Sequence, residues 1–346
     1  MVKRNMILGA ILSPTVLLLA GVPAVSCAQQ VQVPQHEAEM HPGHSGQHAI
    51  SATAKIELTD DPATEVLKVQ IGPAKLPAHV DHMGIAQPRD FFLVVPFDGW
   101  LTGYYPRLID ASGAVVTARI LHHAAFWNTA RPDFLCSNKD ERIFGAGGEM
   151  KDWPVVPGFG YRVHMGDRIR ISTMFTNPTD TIYPEVFLEV QLHYQVASAR
   201  TPPLKGFYPM WIDVQECRDS GFDLEPGRST TYARFTMKYA GELLGVSGYL
   251  HDYGRELTLE DISHRATIAE LKPQLDPAGH VLSIPVFSFA GGGGYRLEQG
   301  QTLKVTAIYD NPTGKYLADG GMGIVVGYFL PDQDSAFEAL ERHPAK

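Results

Sequence analysis

Thr302-Leu303-Lys304-Val305-Thr306-Ala307-Ile308-Tyr309, closed two residues later by Asn311-Pro312, reads as a β-strand running into a turn. The same arrangement appears in the first half, where Arg168–Phe175 precedes Asn177-Pro178. Working outward, similar runs are Phe91–Pro96 before Asp98-Gly99, Tyr104–Ile109 before Asp110–Gly113, Val115–Leu121 and Val186–Val196. The second half adds Thr230–Met237, Glu256–Leu259, Leu282–Phe289 and Gly323–Phe329. Frequent β-branched and aromatic residues, with Gly, Pro, Asn and Asp between the runs, predict antiparallel sandwiches. Sustained helical periodicity is scarce, with Asp334–Leu340 the one short candidate singled out. Arg200–Lys205, containing Thr201-Pro202-Pro203, reads as a linker. The expected fold is therefore all-β, with two consecutive antiparallel β-sandwich, jelly-roll-like domains at 55–200 and 205–335 and a C-terminal tail at 336–346.

Composition narrows the function. The chain has 346 residues, 44% of them hydrophobic, which is enough to build real cores. Lys and Arg total 29 against 38 Asp and Glu, so no basic surface is available for nucleic acid. Residues 1–28 carry Lys3 and Arg4, an apolar run over Met6–Val22, and small residues ending Ser26-Cys27-Ala28, the pattern of a signal peptide. Its removal takes the formal charge from −9 to −11 and implies an exported protein, periplasmic or secreted. Cys27 offers lipidation as a second option and the only expected link to a membrane; Ala24 stands where a lipobox usually has Leu. Residues 29–54 hold His36, Met40, His41, His44 and His48 with few large apolar residues, which reads as a flexible tether able to capture metal weakly. The molecule is expected to be a monomer.

Histidine is over-represented. Fourteen His and 10 Met accompany only 3 Cys, a balance that suits copper better than a thiolate zinc module or a hard cation. The sharpest local signal is Ile120-Leu121-His122-His123-Ala124-Ala125-Phe126-Trp127. Neighbouring residues on a strand face opposite sides, so both imidazoles reach one ion only at a strand end, a bulge or a twist. His79, His82 and Met83 are read as a solvated loop, with replacement metal ligands as the alternative. His164, His264, His280 and His343 have no motif around them. Cys136 and Cys217 remain after leader removal and can oxidise in an exported chain, although the sequence does not show that they are close.

Trp100-Leu101-Thr102-Gly103-Tyr104-Tyr105 through His122-His123 resembles the first copper-site region of the copper type II, ascorbate-dependent monooxygenases, the family of peptidylglycine α-hydroxylating and dopamine β-monooxygenases. The likeness runs on through Gly147-Gly148-Glu149, Pro157–Val163, Asn177-Pro178, Gly248–Arg255, Tyr309–Pro312 and Gly320–Gly323. This resemblance implies two sandwiches, each with a mononuclear copper, electrons from ascorbate or another reductant, and hydroxylation of a small-molecule or peptide substrate. It implies that His122 and His123 are metal ligands of the first copper. Met174 stands near where the third His of that site would fall, as a thioether substitute. At the second, oxygen-activating site it implies His251 and Met322, with Tyr249 where a further His would stand; another register would put Tyr328 in place of Met322. The resulting expectation is a copper-dependent monooxygenase-like oxidoreductase. The alternative is a non-catalytic copper-binding or copper-delivery protein on the same fold.

Overall fold

The computed structural model describes residues 49–149, 152–153, 155–334 and 337. The leader, the His/Met stretch up to residue 48, most of the Asp334–Leu340 segment and the C-terminal tail lie outside the described residues. The described residues are all-β, and most strands read from sequence recur: Arg168–Phe175 is a strand with those bounds, and Thr302–Tyr309 extends to Asn311. Two readings are corrected: Val115–Leu121 is not a strand, because Ala118–Ile120 closes into a 3-10 turn capped by Thr117, and Leu282–Phe289 divides into the short strands Val281–Ser283 and Phe287–Ser288 around Pro285.

Two pairs of sheets account for nearly every strand. In the first half, a six-stranded sheet runs in the order Lys55–Asp61, Val66–Leu76, Tyr183–Val196, Gly99–Asp110, Phe159–Val163 and Lys205–Gly206. Facing it is a four-stranded sheet ordered Phe91–Val94, Arg168–Phe175, Leu121–Pro132 and Asp140–Ala146. The second half repeats the plan. Tyr208–Asp213, Leu317–Pro331, Gly241–Leu250 and short flanking strands form one sheet, and Gly227–Thr236, Thr302–Asn311, Gly254–Asp261 and Ala266–Leu271 form the other. Between the named strands of the described residues, pairing is antiparallel except where Lys205–Gly206, at the end of the sequence linker, lies parallel to Phe159–Val163.

The inward residues of these strands are aliphatic and aromatic, and their burial supplies the main stabilisation of each layer. The two cores are not separate. The first apolar cluster, built on residues such as Val69, Leu188 and Phe126, also takes in Trp211, Tyr249, Met322 and Ile324 from the second half. The second cluster takes in Phe134 and Leu135 from the first. Close approach requires glycine: a Cβ on Gly145 would sit 2.5 Å from the Trp211 ring, and one on Gly147 would sit 2.6 Å from Tyr249. Cys136 and Cys217 form a disulfide, Cα to Cα 5.3 Å, tying the first half to the second. This packing brings the start of Leu121–Pro132 against the end of Gly241–Leu250.

Candidate metal centre

His122 and His123 begin the strand Leu121–Pro132, directly after a 3-10 turn, Ala118–Ile120, capped by Thr117. Strand regularity breaks there. Leu121 faces Phe175 and His123 faces Met174 on the neighbouring strand, so His122 is the extra residue of a bulge. The bulge allows both imidazoles onto one side, with their Nδ1 atoms 3.1 Å apart. Two nitrogens each about 2.0–2.1 Å from one ion stand about 3 Å apart, so the pair has the spacing of a chelate.

His251 comes from the second half, immediately after the strand Gly241–Leu250, and its ring centre lies 5.1 Å from that of His122. Its backbone N–H donates to the Tyr309 hydroxyl at 2.9 Å. That hydroxyl also accepts from the Met322 N–H at 3.0 Å and donates to the Met322 carbonyl, so one phenol joins the backbones of both sequence-predicted residues. The His251 Nε2 is buried and has no hydrogen-bond partner. Burial, and then the neighbouring His82, push the His251 pKa down to about 4, against backbone hydrogen bonds to Asp319 and Gly320 that favour the protonated form. The ring is therefore neutral near pH 7, the form that ligates metals.

The other predicted residues have distinct surroundings. Tyr249 donates its hydroxyl to the His122 carbonyl at 2.8 Å, and burial holds its pKa well above the ordinary value. It thus secures the first-half bulge from the second half as a neutral donor. Met174 is fully buried opposite His123, yet belongs to neither large apolar cluster. Met322 is buried at the edge of the first cluster, and Tyr328, the alternative under another register, packs its ring on Phe207 and Trp153.

Two further residues stand at the centre although the sequence reading gave neither a favoured role there: His82 was read first as part of a solvated loop, with replacement ligand as the alternative, and Glu149 only as part of a motif. The His79-x-x-His82-Met83 loop divides: His79 is exposed beside Asp180 at 2.8 Å, Met83 is exposed, and His82 packs its ring centre 4.5 Å from His122. Glu149 is buried with its Oε1 unpartnered, and burial pushes its pKa up to about 8. The Gly147-Gly148-Glu149 motif was a sequence signal for this segment, but its chemistry depends on the second half closing over it. His264 and His280, by contrast, are satisfied by Asp261 and Asp276 at 2.7 and 2.8 Å.

Among the described residues, no three His, Cys, Asp or Glu side chains form a ready-made metal-ligand group. His122 is instead the hub of the cluster, with His82, His123 and His251 around it at ring-centre distances of 4.5, 5.3 and 5.1 Å. Side-chain rotation is needed for these rings to converge on one ion. The donor set still fits copper: a cluster of imidazoles, one of them, His251, neutral and with an orphaned buried nitrogen.

Comparison with known proteins points the same way. The chain is 24% identical over 230 residues to "Probable copper-dependent oxygenase clz3" of Cochliobolus lunatus, covering 61% of this chain and 70% of that protein. It is 25% identical over 233 residues to "Probable copper-dependent oxygenase M1" of Phoma sp., covering 61% of this chain and 56% of that one. The chain is distantly similar to proteins named copper-dependent oxygenases. No family model matches it. Among solved structures, similarity extends to the major capsid protein P2 of bacteriophage PM2, at 12% identity, 76% of this chain, 98% of that one and a TM-score of 0.31. PNGF-II gives 10% identity, 91% and 65% coverage and a TM-score of 0.34. Likeness at that level carries no argument about function.

Proposed function

We propose that the protein is an exported copper-dependent oxygenase of the copper type II monooxygenase kind, drawing electrons from ascorbate or a similar reductant to hydroxylate a small-molecule or peptide substrate. The observation that carries this reading is the meeting of His122 and His123, turned together by a bulge, with His251 from the opposite half. The distant similarity to proteins named copper-dependent oxygenases supports it.

Copper, when bound, would supply one-electron chemistry toward molecular oxygen; imidazole and thioether donors stabilise its reduced form. The chain's own contribution is organisation. His122 and His123 would hold copper from the first half, and His251, with Met322, would do so from the second. Tyr249 fixes the His122 backbone, and Tyr309 fixes the backbones of His251 and Met322. Burial keeps His251 neutral and keeps Glu149 protonated through neutral pH, so the interface holds no bare carboxylate at that position.

The test is reconstitution of the purified chain with copper and ascorbate, following oxygen consumption and peroxide release. Reductant-dependent oxygen uptake that disappears in His122→Ala and His251→Ala is expected. Copper binding that needs these residues without any oxygen uptake would instead establish the copper-delivery reading.

A further inference from the structure

The resemblance places a third first-site His just before the Asn177-Pro178 turn, and the chain has none there. The three-dimensional arrangement supplies an imidazole from elsewhere. His82 lies on a 3-10 turn, His82–Gly84, whose shape is set by the Asp81 carboxylate accepting from the Met83 and Gly84 N–H groups, both at 3.0 Å. The preceding residue pair is zipped to the Asn-Pro turn: the Val80 N–H donates to the Asn177 carbonyl at 2.9 Å, and the Asn177 N–H donates to the Val80 carbonyl at 2.8 Å. Gln87, fully buried, completes the anchoring. Its amide donates to the carbonyls of His82 and Phe175, both at 2.8 Å, and its oxygen accepts from the Phe175 N–H at 2.7 Å.

These bonds fasten the His82 turn to the end of Arg168–Phe175, the strand that pairs with His122-His123. The result is an imidazole centred 4.5 Å from His122. Rings bound to one ion through nitrogens about 2.0–2.1 Å away stand roughly 4.5–5.5 Å apart between centres, a range that includes this spacing and that of His122 and His123. A solvated loop would have no need of a buried glutamine and a two-bond zipper to hold it there.

Resting on the copper reading of the cluster, we propose that His82 is the missing imidazole ligand of the His122–His123 copper, delivered by the loop between Leu76 and Phe91 in place of a strand histidine. Met174, behind His123, is then a packing neighbour of that ion and not its third donor.

The experiment measures copper affinity by chelator competition, the nitrogen hyperfine pattern of Cu(II) by electron paramagnetic resonance, and sulfur against imidazole donors by X-ray absorption. It uses the full chain and its His82→Ala, His82→Gln, Met174→Leu and His122→Ala variants. Both His82 variants are expected to bind copper at least about tenfold more weakly and to lose one nitrogen donor. Their metal-free thermal melts should match the parent, which separates ligand loss from misfolding. Met174→Leu should leave donor count and affinity unchanged. Unchanged affinity and nitrogen count in both His82 variants, with His122→Ala impaired, would overturn the proposal while leaving the copper centre standing. Loss of a sulfur donor in Met174→Leu would likewise overturn it. If His122→Ala also binds copper as the parent does, the copper reading of the cluster falls too.

Discussion

The Asn-Pro turns of the two halves can be laid side by side. Asn177 is fully buried and donates to the carbonyls of Leu76, Pro77 and Thr181, while its oxygen accepts from the Thr179 backbone and hydroxyl. Asn311, equally buried, donates to the carbonyls of Leu224, Glu225 and Lys315 and accepts from the backbone and hydroxyl of Thr313. The device is the same position for position. What precedes it differs. In the second half, Leu224 ends one strand and Gly227 starts the next, whereas in the first a loop separates Leu76 from Phe91 and carries His82. The aromatic two residues before each Asn differs as well: Phe175 is held through its backbone by Gln87, while Tyr309 uses its hydroxyl to hold His251 and Met322. The repeated turn is framework, and the chemistry is set by a loop and a phenol added to it.

Substitutions at three places sharpen this comparison, beginning with the framework. Asn177→Ala and Asn311→Ala each strand several backbone groups, and each should cost about 3–5 kcal/mol in denaturant unfolding. Near-equal losses would confirm equivalent roles; a much smaller loss at one turn would break the equivalence.

The interface between the halves comes next. Folded Glu149 keeps its proton up to about pH 8, whereas the unfolded carboxyl, near 4.5, has already lost it. Between those values the unfolded state binds fewer protons, so the folded state loses stability as pH rises. Glu149→Gln should remove this slope, and it should gain roughly 2–4 kcal/mol over the parent at about pH 8 while matching it near pH 4. Thermal melts across that range read the difference, and parallel pH profiles would exclude the buried carboxyl as its source.

The smallest effect belongs to the single hydroxyl that crosses to the His pair. Tyr249→Phe leaves the ring and removes the bond to the His122 carbonyl, for an expected loss of about 1 kcal/mol. Double-mutant cycles with Tyr309→Phe should be near additive, since the two phenols hold different halves of the centre.

Much of the fold was legible in sequence. Strand runs such as Arg168–Phe175 are marked by their own side chains and by the Asn-Pro that closes them, both local signals. His122, His123 and His251 were singled out through motif context, and the structure brings their rings together. Tyr249 was read as standing where a further His would be, and its environment gives it a hydrogen-bonding task. The pairing of Cys136 and Cys217 stayed open in the sequence, because nothing local shows that two residues 81 apart are close. His82 was harder still: its loop has no periodicity, and the Gln87 side chain that anchors it pairs with a strand 88 residues later.

The sequence by itself determined the layers: which segments are strands, where they turn, and that imidazoles and thioethers outnumber thiols. Those features follow from backbone propensity and composition, which act over a few residues. Tertiary structure alone decided that His122 becomes the hub of four imidazoles. That outcome needs a one-residue register slip against Met174, a loop pinned by a buried glutamine, and a second half docked closely enough for Tyr249 to reach across. Register and docking are set by the summed packing of strands far apart in the chain, so no local stretch encodes them.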